Sequence, residues 1–184
     1  MVDLVSSVGP VEPPPDPTRP VVCFLCTGNA ARSVMAAAML ARLTDAVDIR
    51  SAGTHVIEGQ PPSVRVRRAL ERHGLSAPWH RSRQMGLDQV EGADLIVAME
   101  PDNVAWLRRT HPEGAARTGT LIRLARELEP GPAPLAQRVA ALGLAAVEVG
   151  SDEEVVDPAA GDQAAYDRCA DELAPLVAEL ARRL

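Results

Sequence analysis

The stretch Cys26-Thr27-Gly28-Asn29-Ala30-Ala31-Arg32-Ser33 constrains this chain more than any other. It follows the apolar run Val21-Val22-Cys23-Phe24-Leu25, whose pattern predicts a buried parallel strand. It leads into Ser33 to Leu43, rich in Ala, Met and Leu and so predicted to be helical. A loop that turns from a strand into a helix N-terminus aims several backbone N–H groups at one point, a nest for a tetrahedral oxyanion. Gly28 and Asn29 tolerate the left-handed backbone that such a loop needs.

The side chains add chemistry. Arg32 supplies a planar fork for two phosphate oxygens. The same positive field favours the thiolate of Cys26, the nucleophilic form. The hydroxyl of Ser33 is placed to donate to that sulfur. The amides of Thr27, Gly28, Asn29, Ala30, Ala31 and Ser33 are the expected substrate-binding groups. Cys-x5-Arg alone is a weak pattern; its place between strand and helix is what discriminates. Attack on phosphorus also needs a proton for the departing oxygen, and a carboxylic acid is the natural donor. Asp157, in Val155-Val156-Asp157-Pro158, is the candidate, although Asp-Pro is also a common turn. Asp16-Pro17 repeats the dipeptide but precedes every predicted strand.

Further along, Val47 to Arg50 reads as a second strand, closed by Ser51-Ala52-Gly53-Thr54. Pro61 to about His73 reads as a helix stopped by Gly74. Ala93 to Met99 is a third buried strand, and Pro101 opens a helix containing Val104 and Leu107. Thr120 to Leu124 is the candidate fourth strand. Residues 124–149 are expected to be helical in part, broken by Pro130, Pro132 and Pro134. The last helix, Ala164 to Leu184, contains Pro175, which predicts a kink or a break. Strands alternating with helices argue for a parallel α/β sheet, in which ligands bind at the carboxyl ends of strands.

Composition narrows the rest. A chain of 184 residues suits one domain with a real core. Residues 1–20 hold six prolines and are expected to form a disordered leader, with one domain over 21–184. Net charge is -6 and no long basic stretch occurs, which argues against a nucleic-acid partner. No apolar run reaches the roughly 18 residues needed to cross a membrane. The three cysteines cannot all pair within the chain, and no metal-type spacing of Cys or His appears. A reduced, cytoplasmic setting is expected.

In order along the chain, Cys26 to Ser33, Ser51-Ala52-Gly53-Thr54, His80-Arg81-Ser82-Arg83-Gln84, Ala93 to Met99 and Asp157-Pro158 resemble the low-molecular-weight protein tyrosine phosphatase family. The resemblance runs from Val21 nearly to the C-terminus. It implies a three-layer α/β/α sandwich around a four-stranded parallel sheet, with the phosphate loop after the first strand. It implies a bacterial-type cysteine-dependent phosphomonoesterase that works through a phosphocysteine intermediate, without metal or cofactor. Cys26 would take the phosphoryl group, Arg32 would hold its oxygens, and Asp157 would act as general acid. Asn29 would hold the loop in shape, tied to Ser51 and His80.

The departures bear on substrate. The family often has a second cysteine before the arginine; here Ala31 stands there. It often has aromatic residues after its Asp-Pro, where this chain has Ala159 and Ala160. Another aromatic wall often follows Ser-Ala-Gly-Thr, and here His55 or Ile57 would replace it. A phosphorylated protein, of phosphotyrosine type, is the first expected substrate. A small-molecule phosphate is the alternative. Arsenate reduction is a further alternative, needing thiols beyond Cys26. A phospho-ligand binder without turnover is the last. The sequence leaves oligomeric state open.

Overall fold

In the computed structural model the described residues are 16 and 18–184. Residues 1–15 and 17, most of the leader expected over 1–20, lie outside them. Asp16 and 18–20 form a short turn in which the Arg19 guanidinium reaches Asp48, 3.6 Å away.

Four strands form one parallel sheet in the order β2-β1-β3-β4. They are β1 (Val21–Cys26), β2 (Asp48–Gly53), β3 (Leu95–Ala98) and β4 (Thr118–Thr120). Helices α1 (Arg32–Leu43), α2 (Val64–Arg72), α3 (Leu87–Glu91), α4 (Pro101–Thr110), α5 (Leu121–Glu127), α6 (Leu135–Ala140) and α7 (Gln163–Arg183) complete the fold. The β1 run is buried on both faces, and its side chains alternate between two cores. Val22, Phe24 and Cys26 join the larger one, built with α1, α2, α5 and α7. Cys23 and Leu25 join a smaller one with Val90, Ile96 and Leu107, under α3 and α4. This is the three-layer α/β/α arrangement, and it explains a strand with no polar alternation.

The chain leaves β1 for β2 on one side and returns to β3 on the other. The strand order therefore reverses beside β1, where ligands bind in open parallel sheets. The loop from Cys26 to α1 opens at that point.

Two expectations need correction. The fourth strand is Thr118–Thr120, not Thr120 to Leu124. The Thr120 hydroxyl accepts from the Arg123 amide at 3.2 Å, which caps a helix there. Leu121, Leu124 and Leu128 then recur at helical spacing and are fully buried. The second concerns Pro175, which does not break the last helix: α7 runs through it for 21 residues. Leu173, Val177 and Leu180 on either side are fully buried, and their packing carries the helix past the missing donor.

Pro175 itself is exposed and leaves the Asp171 carbonyl without its helical donor. Pro175→Ala restores that hydrogen bond but also widens the unfolded ensemble. We expect stability to rise by roughly 1–2 kcal/mol, read from the urea midpoint at unchanged slope.

Candidate functional site

The loop Thr27–Ala31 spans the gap between β1 and the first turn of α1, where the amide groups have no helical acceptor. Of its two permissive residues, Asn29 takes the left-handed conformation, with φ of 47°. An asparagine there can brace the loop with its side chain, which glycine cannot. Asn29 is fully buried and bonded on all sides. Its Nδ2 donates to Ser33 Oγ and to Ser51 Oγ, both at 3.0 Å. Its Oδ1 accepts from the Arg83 amide at 2.8 Å. Its carbonyl lies 2.9 Å from His80 Nε2. A carbonyl only accepts, so that imidazole nitrogen carries the proton.

This brace reaches the sulfur. Ser33 Oγ lies 3.0 Å from Cys26 Sγ. Because Ser33 already accepts from Asn29, its own proton is free to point at Cys26. One asparagine thus orients the loop and, through Ser33, the hydroxyl beside the thiol. Cys26 is 3% exposed and sits at the floor of the loop.

Arg32 is 1% exposed, so its charge must be met inside the protein. Glu100 does this with a two-point fork: Nη1 to Oε2 at 2.8 Å and Nη2 to Oε1 at 3.0 Å. Nη1 also donates to the Val155 carbonyl at 3.1 Å. The remaining Nη2 hydrogen goes to Asp157 Oδ2 at 2.7 Å. Glu100 therefore occupies the Nη1/Nη2 edge, and Asp157 occupies the edge shared with Nε.

Glu100 was not legible as a site residue in the sequence, yet it has a web of its own. It accepts from Thr27 Oγ1 at 2.7 Å and from Asn103 Nδ2 at 2.9 Å. Burial pushes its carboxyl up, but the hydrogen bonds from Arg32 and Thr27 and the charge of Arg32 outweigh this and hold it below the ordinary range. The available signal was position: Glu100 follows the β3 run directly, at the carboxyl end of a strand.

The other predicted residues fall around this centre. Ser51 lies on β2 and His80 on the loop between α2 and α3, both against Asn29. The backbone of Thr54 and His55 runs along the loop, their amides donating to the carbonyls of Cys26 (3.0 Å) and Thr27 (2.9 Å). Ala30, Ala159 and Ala160 are exposed. Ile57 is 78% exposed, and His55 stands edge-on to Trp106 rather than as a free wall. Among the described residues no group of three His, Cys, Asp or Glu could hold a metal ion, and no helix is long and apolar enough to cross a membrane.

A buried cysteine at a helix N-terminus, with an arginine fork and a carboxylate beside it, is an arrangement in which a thiolate can take a phosphoryl group from an ester. Comparison with known proteins identifies the family. The model for low molecular weight phosphotyrosine protein phosphatases matches residues 21–130. A protein-arginine-phosphatase of Geobacillus stearothermophilus is 29% identical over 89% of this chain and 95% of its own. A low molecular weight protein-tyrosine-phosphatase of Streptomyces coelicolor is 34% identical over 80% and 83%. Among solved structures, the arginine phosphatase of G. stearothermophilus superposes with a TM-score of 0.70 at 28% identity, covering 88% of this chain and 90% of that one. The low molecular weight protein tyrosine phosphatase of T. tengcongensis gives 0.71 at 26%, covering 90% and 99%. The chain belongs to the low molecular weight phosphotyrosine protein phosphatase family and is a cysteine-based phosphatase.

Two outcomes test the geometry. A Cβ at Gly53 would lie 2.7 Å from the Thr27 carbonyl oxygen and 2.8 Å from the Asn29 nitrogen. Gly53→Ala must therefore push the loop, and a displacement near 1 Å costs on the order of 100-fold in aryl phosphate turnover. Circular dichroism should show the fold retained. The second outcome concerns pH. The Glu100 carboxyl is depressed in the folded state, so its stabilisation is present above the unfolded value and lost as pH falls through the native one. Glu100→Gln should be less stable than wild type at neutral pH. The gap should begin to narrow as pH falls below the ordinary glutamate value of about 4.3 and go on closing below it, read from urea midpoints across pH.

Proposed function

We propose that this chain removes phosphate from proteins, in the first instance from phosphotyrosine, through a phosphocysteine at Cys26. The observation that carries the reading is the Cys26 sulfur, 3.0 Å from the Ser33 hydroxyl at the floor of the loop and within electrostatic reach of the Arg32 guanidinium.

Substrate phosphate enters the nest of amides from Thr27 to Ser33. It takes the Nε/Nη2 edge of Arg32 and displaces Asp157 from it, while Glu100 keeps hold of the opposite edge. The Cys26 thiolate attacks phosphorus, forming P–S as the P–O bond to the leaving group breaks. Asp157, released from Arg32 and protonated, gives its proton to the departing oxygen. The resulting carboxylate then takes a proton from water, which attacks phosphorus and frees the thiolate. Ser33 steadies the sulfur when it carries charge.

The exposed alanines after Asp157-Pro158 favour a second reading of the substrate. Aromatic contacts to a phenyl ring contribute about 0.5–1.5 kcal/mol each, and Ala159 and Ala160 give none. A carrier without a ring loses nothing from their absence. Phosphoarginine in a protein fits this, in line with the arginine phosphatase relatives. A small-molecule phosphate fits the same rim.

Arsenate reduction fits poorly. The nearby candidate for a resolving thiol, Cys169, is buried, and burial pushes it up to about 12. It stays protonated at neutral pH and is a poor attacking group. All three cysteines are free thiols, in keeping with a reducing cytoplasm.

Cys26→Ser should abolish hydrolysis of aryl phosphates, and vanadate should inhibit the wild type while chelators do not. Asp157→Asn should lower kcat by about 10²–10⁴ and change KM little. Turnover by Cys26→Ser at the wild-type rate would overturn the mechanism. A kcat/KM panel of phosphotyrosine peptides, phosphoarginine peptides and metabolite phosphates decides the substrate class.

A further inference from the structure

Asp157 stands on an irregular stretch between the short turn Ser151–Glu153 and α7. Its carboxylate is 39% exposed and is held by Arg32 and by the Ala159 amide at 3.0 Å. If Asp157 is the acid proposed above, something must fix that stretch before substrate displaces the Arg32 contact. A misplaced acid loses most of its effect.

The anchor lies four residues earlier. Glu153 is 2% exposed, yet it is a carboxylate. It accepts from Arg123 Nε at 3.0 Å and from the Gly150 amide at 3.2 Å. It also accepts close bonds from Arg123 Nη2 and from the Thr120 hydroxyl. Burial pushes the Glu153 carboxyl up, but the hydrogen bonds from Arg123, Thr120 and Gly150 prevail and hold it below the ordinary range. Stability alone is a weak reason for such a pair, since packed apolar residues serve as well.

What the pair does provide is direction. Thr120 ends β4 and caps α5, and Arg123 lies in the first turn of that helix. Arg123 also reaches the Glu148 carbonyl at 3.2 Å. The stretch beyond Glu153 then alternates. Val155 is fully buried; its amide donates to the Met99 carbonyl at 2.8 Å, just past β3, and its carbonyl accepts from Arg32. Glu154 and Val156 between them face solvent. Residues 153 to 157 thus form a rail, fixed at its start to α5 and at its middle beside β3, and ending at Asp157.

We infer that Glu153 is a positioning residue: clamped by Arg123 and Thr120, it sets where the Asp157 carboxyl stands. It touches no reacting atom and acts through the backbone of the rail. The inference rests on Asp157 being the general acid.

Leaving-group dependence tests it. Phenyl phosphate needs protonation of its leaving oxygen, whereas 2,4-dinitrophenyl phosphate departs without it. Glu153→Gln keeps the shape and removes the charge. Its kcat/KM for phenyl phosphate should fall by roughly 10- to 100-fold while that for the dinitrophenyl ester stays near wild type. Vanadate inhibition should be unchanged. Equal losses on both substrates, or no loss on either, would overturn the inference. Arg123→Lys, which keeps a cation but loses the fork, gives the same comparison should Glu153→Gln fail to fold. Asp157→Asn run alongside separates the two levels. If it shows no leaving-group selectivity, the acid assignment fails; if it does and Glu153→Gln does not, only the positioning role fails.

Discussion

The buried fork between Arg32 and Glu100 is the interaction on which the rest of the site depends. A guanidinium taken out of water must be neutralised, and Glu100 does so on the Nη1/Nη2 edge. That choice of edge leaves the other one for an anion. It also couples two strands: Arg32 opens α1 directly after the β1 loop, and Glu100 follows β3. Thr27 and Asn103 brace the carboxylate in turn. Loss of this pairing would leave the buried guanidinium with Asp157 as its remaining carboxylate, which the proposed mechanism needs elsewhere.

The same economy of position holds across the sheet. Cys26 lies at the end of β1, Gly53 at the end of β2, Glu100 beyond β3, and Thr120 at the end of β4. Every strand delivers one element of the site at its carboxyl end. The smaller core under α3 and α4 and the larger one under α1 and α7 hold those ends in register. The polar network then needs no regular structure of its own beyond the loops.

Local patterns were the legible part of the sequence. The unbroken apolar run of β1 and the change to Ala and Leu after Ser33 locate the strand, loop and helix that carry Cys26 and Arg32. Asp157 stood out by its dipeptide, and Ser51 and His80 by family motif; the structure brings Ser51 and His80 to Asn29, and Asp157 to Arg32. Glu100 was missed because a lone acidic residue before Pro101 reads as a helix start, and only the third dimension sets it against Arg32. Glu153 was missed for a similar reason, being one of three acids in a row. The fourth strand was misplaced because Leu121, Ile122 and Leu124 fit either period over so short a run, and the Thr120 cap decided for helix. Pro175 misled because tertiary burial along α7 outweighs a local breaker.

The scarcity of aromatic residues has a spectroscopic consequence. The chain has two tryptophans, each next to a histidine that bonds a loop carbonyl, one in sequence and one in space. Trp79 directly precedes His80, the residue bonded to the Asn29 carbonyl. Trp106 packs edge-on between His55 and His111, at centroid distances of 6.3 and 5.6 Å. His55 in turn holds the Thr27 carbonyl through its amide. With no third indole in the chain, its indole emission comes from these two positions. Indole emission therefore reads the neighbourhoods of His80 and His55, the two histidines whose ring or amide bonds the loop carbonyls.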